Sequence, residues 1–405
     1  ISKSEVSATG LLGLFASLYE GCVSAADIIF VIMTCAATFG VIVKTGAFHA
    51  FIGRVVQKNG SRSLILIPVL MLVFGLGGSL FGMLSEFYGF YPLIVGLMMA
   101  LGYDAMTGFA TIALGFMAAT LNPYTVAVAQ SIAGVQLYSG IGYRAVCFVV
   151  LMGAAVAYLM LYARKVRRKP ELSVVYGDSC THSFERSQLD SYTFTWRHTL
   201  ILLDVLATLV ILMMGMIRWK WGYKELCGLF IIMSAVAALI DKWSPNDYCQ
   251  EMLAGIRSVV WGCILTGLAK GIIVIMNHAQ IMDTIIYALG NLLGKAPSAI
   301  SAQLMLVAHT LINFLIPSGS GQAAATMPIM APLADVLGVS RQVACLTFQF
   351  GDGLSNLLWP TCGIVIICGL GDVRYDRWLK WFGKLFLILF AAQTVLVEIA
   401  VLTGF

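Results

Sequence analysis

The sequence predicts an all-α polytopic membrane protein built as an inverted repeat, with two re-entrant hairpins and two broken transmembrane helices. Three observations predict it: the composition, an ordered similarity between the two halves, and paired interruptions of apolar segments. Of the 405 residues, 60% are hydrophobic and only 11% are charged, against about 25% charged residues in a soluble domain. One soluble core could not cover so much apolar surface, whereas lipid can act as a second solvent.

Several apolar stretches are long enough to cross a bilayer. Each has about 20 residues and at most one charge, and at a rise of about 1.5 Å per residue it spans a hydrocarbon core of about 30 Å. One such stretch could be a buried core helix, but this many could not. The stretches are residues 23–43, 145–163, 200–217, 258–276 and 385–402.

Basic loops predict which side of the inner (plasma) membrane each segment faces. Residues 164–197 open with five basic residues within six positions and are predicted to be a cytoplasmic linker. This linker separates a first repeat, 1–163, from a second, 198–405. The net charge of +5 arises largely in such loops, so we predict no nucleic-acid partner.

The two halves resemble each other in an ordered series. The aligned pairs are residues 39–43 with 270–274, 101–102 with 337–338, and 122–123 with 359–360. The loop 44–62 is basic and predicted to lie inside, whereas its counterpart 277–297 has one Lys and no Arg and is predicted to lie outside. Opposite placement of matched loops predicts an inverted repeat, a recurring plan of secondary transporters. The second half also has an unmatched apolar stretch, 227–240, so we expect a further span before Ile1.

Two segments interrupt the spanning pattern at corresponding places. The first has an apolar arm (64–74), a glycine-rich stretch (75–79), a turn (81–86) and a second arm (90–100). The second has an arm (301–315), a Gly/Ser-rich tip (317–322) and a returning arm (323–336). Irregular backbone at membrane depth is tolerated only inside protein or beside a wet cavity, which predicts two re-entrant hairpins. The alternative is two ordinary helices joined by a tight turn.

Each hairpin precedes a span with a predicted break. The breaks lie at residues 120–124 (TLNPY) and 350–361, which contains Trp359-Pro360. Proline removes a backbone hydrogen bond, and nearby Asn, Ser and Thr side chains can bind the freed carbonyl groups. Unwound carbonyls facing a hairpin tip are a usual place for Na⁺, although either proline alone could be a structural kink.

Two acidic residues coincide with these breaks. Glu86 lies at the first hairpin tip and Asp352 in the second broken span, where a charge is costly and therefore a functional candidate. Two acids near one cavity favour a cationic substrate, a sodium ion or a proton. Asp204 and Glu398 have no accompanying break and are interpreted as packing charges, and His309 is interpreted as a packing histidine rather than a proton relay.

The sequence contains no pattern typical of an enzyme or a bound cofactor. No nucleophile elbow, P-loop lysine or metalloprotease spacing occurs. The ten cysteines lack the spacing of a metal site and are interpreted as small packing residues. We therefore predict a non-enzymatic membrane protein that needs no cofactor beyond a coupling ion, Na⁺ or H⁺.

The same segments carry a family resemblance. Residues 316–324, 327–335, 341–344 and 348–353, with 81–83, Glu86 and 90–93 of the first half, resemble the YfcC group of the DcuC/ArcD-related carriers. The resemblance covers nearly the whole chain. It implies the ion transporter superfamily fold and a homodimer built on scaffold helices. Group members are provisionally named basic amino acid antiporters, while the wider family name refers to C4-dicarboxylates. Residues 84–86 depart from the group in having one acid where two are expected.

We therefore predict a secondary active transporter of small amino or carboxylic solutes, with an arginine/ornithine-type antiporter as the first hypothesis. The alternatives are a Na⁺- or H⁺-coupled carrier of C4-dicarboxylates or other carboxylates and, from another class, an ion channel. The predicted substrate-binding residues are Ser79, Gly82, Ser85, Glu86, Asn122, Ser318, Gly319, Ser320, Gly321, Gln322, Asp352, Asn356 and Thr361. A possible Na⁺ site is predicted near Ser79, Thr120, Asn122, Ser320 and Asn356.

Overall fold

The computed structural model is helical, as predicted. It describes residues 10–51, 54, 63–81, 84, 87–117, 123–180, 194–219, 221–279, 281, 284, 288 and 298–405, and no strand occurs among them. The first seven helices of this part are α1 (Leu11–Ser24), α2 (Ala26–Lys44), α3 (Leu66–Phe81), α4 (Phe90–Ala100), α5 (Ala105–Met117), α6 (Pro123–Ala133) and α7 (Ile141–Arg168). The others are α8 (Trp196–Trp219), α9 (Tyr223–Ile240), α10 (Pro245–His278), α11 (Ser298–Leu315), α12 (Gly319–Val336), α13 (Arg341–Ser355), α14 (Ile364–Leu370) and α15 (Tyr375–Leu402).

Four helices of the described part are long and apolar enough to cross a membrane, namely α2, α7, α9 and α15. Helices α7 and α15 contain the predicted spans 145–163 and 385–402, and α2 covers nearly all of 23–43. The stretch 227–240 lies in α9, and the spans predicted at 200–217 and 258–276 lie within α8 and α10. Large apolar side chains face outward on these helices: Val149 is 67% exposed and Leu387 is 68% exposed. Such a surface suits contact with lipid.

The helices form two packing groups. Helix α10 packs against α1 and α2, and α9 packs against α2 and α8; we call this group the scaffold. The hairpin arms, the broken spans, α7 and α15 form the second group, which we call the core. The two groups meet along a seam where α10 packs against α14 and where the Phe39 ring of α2 lies 5.3 Å from the Phe90 ring of α4, centroid to centroid.

The core contains the same arrangement twice. Helices α3 and α4 pack against α5, and α5 packs against α7; likewise α11 and α12 pack against α13, and α13 packs against α15. Helices α7 and α15 have 28 residues each. The aligned Gly102 and Gly338 follow α4 and α12 with φ of 86° and 70°, a backbone region that glycine enters most easily. These features support the predicted repeat, while the inversion of one half in the bilayer stays a prediction.

The first hairpin arm is longer than predicted. Helix α3 continues through the glycine-rich stretch 75–79 and ends at Phe81. These glycines permit close packing: a Cβ atom on Gly75 would lie 2.3 Å from Met152 Cε, and one on Gly77 would lie 2.5 Å from Phe87 Cζ. The stretch was therefore wrongly separated from the arm. Most of the predicted turn 81–86 lies outside the described residues.

The second hairpin has a helix, a short connection and a second helix. Helix α11 ends at Leu315, and α12 begins at Gly319, inside the predicted tip. Its re-entrant path in a membrane stays a prediction. The following break lies later than expected, because α13 continues to Ser355 and α14 begins at Ile364. The non-helical residues 356–363 therefore form the break.

Helix α7 ends at Arg168, inside the predicted linker 164–197. The linker residues after α7 fold back onto the core: the Ser173 hydroxyl group donates to Asp104 Oδ2 at 2.6 Å, and the same oxygen accepts from the Tyr162 hydroxyl of α7 at 2.5 Å. Arg377 at the start of α15 forms an ion pair with Asp178 at 3.0 Å. These contacts tie residues 169–180 to both halves of the core.

Candidate functional site

The candidate site lies where the start of α12 meets the end of α13. Asp352, in the last turn of α13, is 4% exposed. A Cβ atom on Gly319 would lie 3.0 Å from Asp352 Oδ2 and 2.6 Å from Thr125 Cγ2. Because Thr125 belongs to α6, the tip of the second hairpin contacts both halves of the core. This is the kind of location that inverted-repeat carriers use for substrate.

The Asp352 carboxylate is buried, and the described residues give it few stabilising contacts. The Asn356 amide donates to its Oδ1 at 3.4 Å, and the residues that the structure describes offer it no ion pair. Its other oxygen faces the N-terminus of α12, which carries partial positive charge. A buried carboxylate in this setting is costly unless a cation or a proton joins it, so Asp352 is suited to bind either.

The N-terminus of α12 offers donors for an anionic group. Ser318 caps the helix, its hydroxyl oxygen accepting from the Gly321 N–H at 3.4 Å. The first amides of a helix have no intrahelical acceptor, and Gly319 and Ser320 supply two of them here. Ser318 and Ser320 are exposed. Exposed hydroxyl groups beside open amides are suited to a carboxylate.

Asn313, which the sequence analysis did not select, joins the first arm of the hairpin to the break. It is fully buried, and its amide nitrogen lies 3.1 Å from the Asp352 carbonyl, 2.7 Å from Ser355 Oγ and 3.0 Å from Asn356 Oδ1. One side chain thus binds three groups at the end of α13. An amide side chain one turn before Pro317, close to the predicted tip, was the signal available in the sequence.

Gln322 points toward α11. Its amide nitrogen donates to the His309 carbonyl at 2.9 Å, and its side chain is fully buried. The His309 ring packs edge-on against Phe348 at 5.6 Å, in agreement with the interpretation of His309 as a packing residue. A contact between Gln322 and substrate stays a prediction.

Thr361 and Trp359 fasten the non-helical residues 356–363 to α11. The Thr361 hydroxyl donates to the Phe314 carbonyl at 2.8 Å, and the Trp359 indole N–H donates to the Thr310 carbonyl at 2.7 Å. The Phe314 carbonyl is among the last four of α11, which have no intrahelical donor, whereas the Thr310 carbonyl lies one turn earlier in the same helix. These residues therefore shape the site even where they do not line it.

A hydrogen bond connects the two halves beside Asp352. The Thr125 hydroxyl donates to Gln349 Oε1 at 3.1 Å. Neither residue was selected from the sequence, although Gln349 lies inside the motif 348–353 and Thr125 directly follows the first predicted break, 120–124. The second half of the site is thus joined directly to the first.

The predicted residues of the first half are only partly placed. Ser79 is fully buried in α3. The others, Gly82, Ser85, Glu86, Thr120 and Asn122, lie outside the described residues. Of the predicted sodium ligands, Asn356 adjoins Asp352, and Ser320 lies in the first turn of α12. Glu398 accepts from the Gln303 amide at 3.1 Å, as expected of a packing charge.

Comparison with known proteins decides the family. The family model of the C4-dicarboxylate anaerobic carrier, DcuC, matches residues 3–402. The chain belongs to the DcuC family. It is accordingly a membrane transporter, as its composition and apolar helices predicted.

Two relatives show how far the DcuC similarity extends. A protein of Escherichia coli (strain K12) provisionally named basic amino acid antiporter YfcC is 32% identical over 97% of this chain and 82% of its own length. A Haemophilus influenzae protein without an assigned function is 28% identical over 92% of this chain and 75% of its own length. Among solved structures, the YdaH transporter of Alcanivorax borkumensis gives a TM-score of 0.46 at 16% identity, over 99% of this chain and 90% of that one.

Proposed function

We propose that the protein is a secondary active transporter that exchanges small amino or carboxylic solutes, with basic amino acids of the arginine/ornithine type as its principal cargo. The observation that carries this proposal is the Asp352 carboxylate, which is 4% exposed, lies at the junction of the two core halves and forms no ion pair with a described residue. A cationic group of the cargo would neutralise it. The name of the YfcC relative supports the same cargo.

The site can hold both ends of an amino acid. The open amides of Gly319 and Ser320 and the hydroxyl groups of Ser318 and Ser320 would bind the carboxylate. Asp352 and Asn356 would bind an amino or guanidinium group. Because Gly319 at the start of α12 lies next to the Asp352 carboxylate of α13, the groups for the carboxylate and the groups for the cation are neighbours in one site.

Transport requires that the site open to each side in turn. The division into scaffold and core supports an elevator-like or rocking motion of the core, with its two hairpins, against the scaffold. We further propose that the two halves are inverted relative to each other in the bacterial inner membrane and that the scaffold helices form a homodimer. The basic loops and the repeated helix order support the inversion.

A second candidate cargo is a C4-dicarboxylate. The description of the DcuC family and the carboxylate-binding character of the α12 N-terminus favour it. In that case Na⁺ or H⁺ would have to neutralise Asp352, so transport would depend on one of these ions. The two cargoes therefore predict different ion requirements.

Counterflow into proteoliposomes tests the proposal. Labelled arginine should enter vesicles loaded with ornithine, saturate with concentration, and enter empty vesicles slowly. Entry of succinate driven by Na⁺ or a pH gradient, without arginine entry, would overturn the basic amino acid assignment. Rapid, unsaturable entry that ignores the internal solute would indicate a channel instead of a carrier.

A further inference from the structure

A cleft of about 570 Å³ lies in the seam between scaffold and core; we call it the seam cleft. Its scaffold wall is formed by Ile32 of α2 with Val259 and Trp261 of α10, and its core wall by α14 and the start of α15. The volume falls in the range of about 300–1,000 Å³ that is typical of small-molecule sites. The seam cleft is separate from the candidate site, because neither Asp352 nor the α12 N-terminus lines it.

The seam cleft lies at the predicted cytoplasmic surface of the membrane. Residues 374–384 contain four basic residues, which predicts that the start of α15 faces the cytoplasm. Arg377 in this stretch binds Asp178 of the predicted cytoplasmic linker at 3.0 Å, in agreement with that placement. The scaffold wall includes the first residues of the predicted span 258–276, among them Trp261, which is 70% exposed. Because tryptophan is enriched where a spanning helix meets the aqueous phase, the cleft is placed at the depth of the lipid headgroups.

The lining of the seam cleft combines an apolar wall with charges of both signs. Ile32, Val259 and Ile366 belong to the apolar wall, which suits a hydrocarbon chain better than a small polar solute. Arg374 and Asp376 also line the cleft; they bind each other at 3.0 Å, and their side chains are 66% and 62% exposed. An exposed ion pair of this kind is weak, so both groups can bind a ligand. Together they complement a headgroup that carries a phosphate and an ammonium, whereas a purely anionic headgroup would also meet Asp376.

We propose that the seam cleft binds one phospholipid with an ethanolamine headgroup. The phosphate binds the Arg374 guanidinium, the ammonium binds the Asp376 carboxylate, and one acyl chain enters between α10 and α14. The lipid is thus held by both the scaffold and the core. Since α14 follows the non-helical residues 356–363 beside the candidate site, the lipid lies where the core is proposed to move. The inference does not depend on which cargo the protein carries.

Lipid retention by the purified protein tests the proposal. The protein is extracted with a mild detergent from vesicles that contain equal amounts of phosphatidylethanolamine, phosphatidylcholine and phosphatidylglycerol with the same acyl chains. Native mass spectrometry then identifies the lipid that each chain retains. The wild type should retain a single phosphatidylethanolamine and prefer it about tenfold over phosphatidylcholine, whose headgroup cannot donate a hydrogen bond to Asp376.

Two pairs of variants locate the bound lipid. Ser258 lines the seam cleft, so Ser258→Phe should fill it and abolish retention. Val260→Phe introduces the same side chain at an exposed position of α10 that does not line the cleft, and it should retain the lipid. Asp376→Asn should remove the preference over phosphatidylcholine, whereas Asp247→Asn, at an exposed position of the scaffold, should keep it. Asp376→Asn changes a surface side chain and stays informative if Ser258→Phe does not fold.

Several results would overturn the proposal. Equal retention of the three lipids would indicate unspecific contact with the bilayer, and a preference for phosphatidylglycerol would indicate a site for anionic lipids instead. Equal retention by Ser258→Phe and Val260→Phe would place the lipid elsewhere. Loss of counterflow in Ser258→Phe with unchanged lipid retention would make the cleft an entrance for cargo. Because retention is measured without transport, failure of the wild type to carry arginine would leave this test unaffected.

Discussion

At the scale of single residues, Asn313 organises the site. Its one amide nitrogen serves three acceptors at the end of α13, among them the Asp352 carbonyl. Buried polar groups left without a partner cost free energy, so a side chain with this many contacts determines the shape around it. The geometry of the site thus depends on a residue of the neighbouring helix as well as on the carboxylate.

Replacing Asn313 should destabilise the protein and reduce transport. Asn313→Ala leaves several buried acceptors unpaired and should lower the free energy of unfolding by about 1–3 kcal/mol. Asn313→Asp places a further acceptor among them and should be more harmful. Thermal unfolding of purified protein measures both changes, with the exposed Asn246→Ala as control. If Asn313→Ala and Asn246→Ala unfold with the same free energy, the hydrogen bonds of Asn313 do not stabilise the protein as proposed.

At the scale of secondary-structure elements, the close packing of α13 against α11 positions Asp352. Gly351 makes it possible: a Cβ atom there would lie 2.6 Å from His309 Cβ and 2.8 Å from the Thr310 nitrogen. Both neighbours belong to the α11 backbone or lie next to it, so they cannot rotate away. The residue before Asp352 therefore fixes the distance between the two helices.

Adding one methyl group at Gly351 should separate these helices. Gly351→Ala is expected to cost about 1–3 kcal/mol of stability by overpacking, and it should also slow arginine counterflow because Asp352 shifts with the helix. Gly383→Ala in α15 is the matched control, since no atom lies within 4 Å of its Cβ; it should be neutral or stabilising. A tolerated Gly351→Ala would show that the contact is not tight.

The sequence predicted which segments are helical better than it predicted where the helices end and which side chains contact one another. The lengths of the apolar stretches and the positions of the charged residues predicted most of the helices. The Gly- and Pro-containing interruptions predicted the approximate positions of the connection between α11 and α12 and of the non-helical residues after α13. The glycines of 75–79 were misread because glycine serves both turns and close helix packing, and only the neighbours Met152 and Phe87 distinguish the two. Asn313, Gln349 and Thr125 escaped selection because their importance comes from contacts between helices that are far apart in sequence.

At the scale of the whole molecule, the seam between scaffold and core is where movement is proposed. The Phe39 ring of the scaffold packs over Gly89 of the core, with Cδ2 2.1 Å from where a Cβ atom of residue 89 would lie. If the core slides during transport, this contact must break and re-form in each cycle. A covalent bond across it should therefore stop the carrier.

A disulfide across the seam tests the movement. Oxidation of Phe39→Cys/Gly89→Cys should abolish counterflow, and reduction should restore it. The single-cysteine variants account for the native thiols. Continued transport by an oxidised seam pair would contradict a motion of the core against the scaffold.

The central claim is that Asp352 binds the cationic part of the transported solute. It is tested most directly by ornithine-driven counterflow of labelled arginine for Asp352→Asn beside Asp247→Asn, an exposed aspartate of the scaffold. Loss of a charge-assisted contact should reduce arginine uptake by about tenfold or more in Asp352→Asn, while Asp247→Asn keeps the wild-type rate. Equal arginine uptake by the two folded variants would contradict the claim.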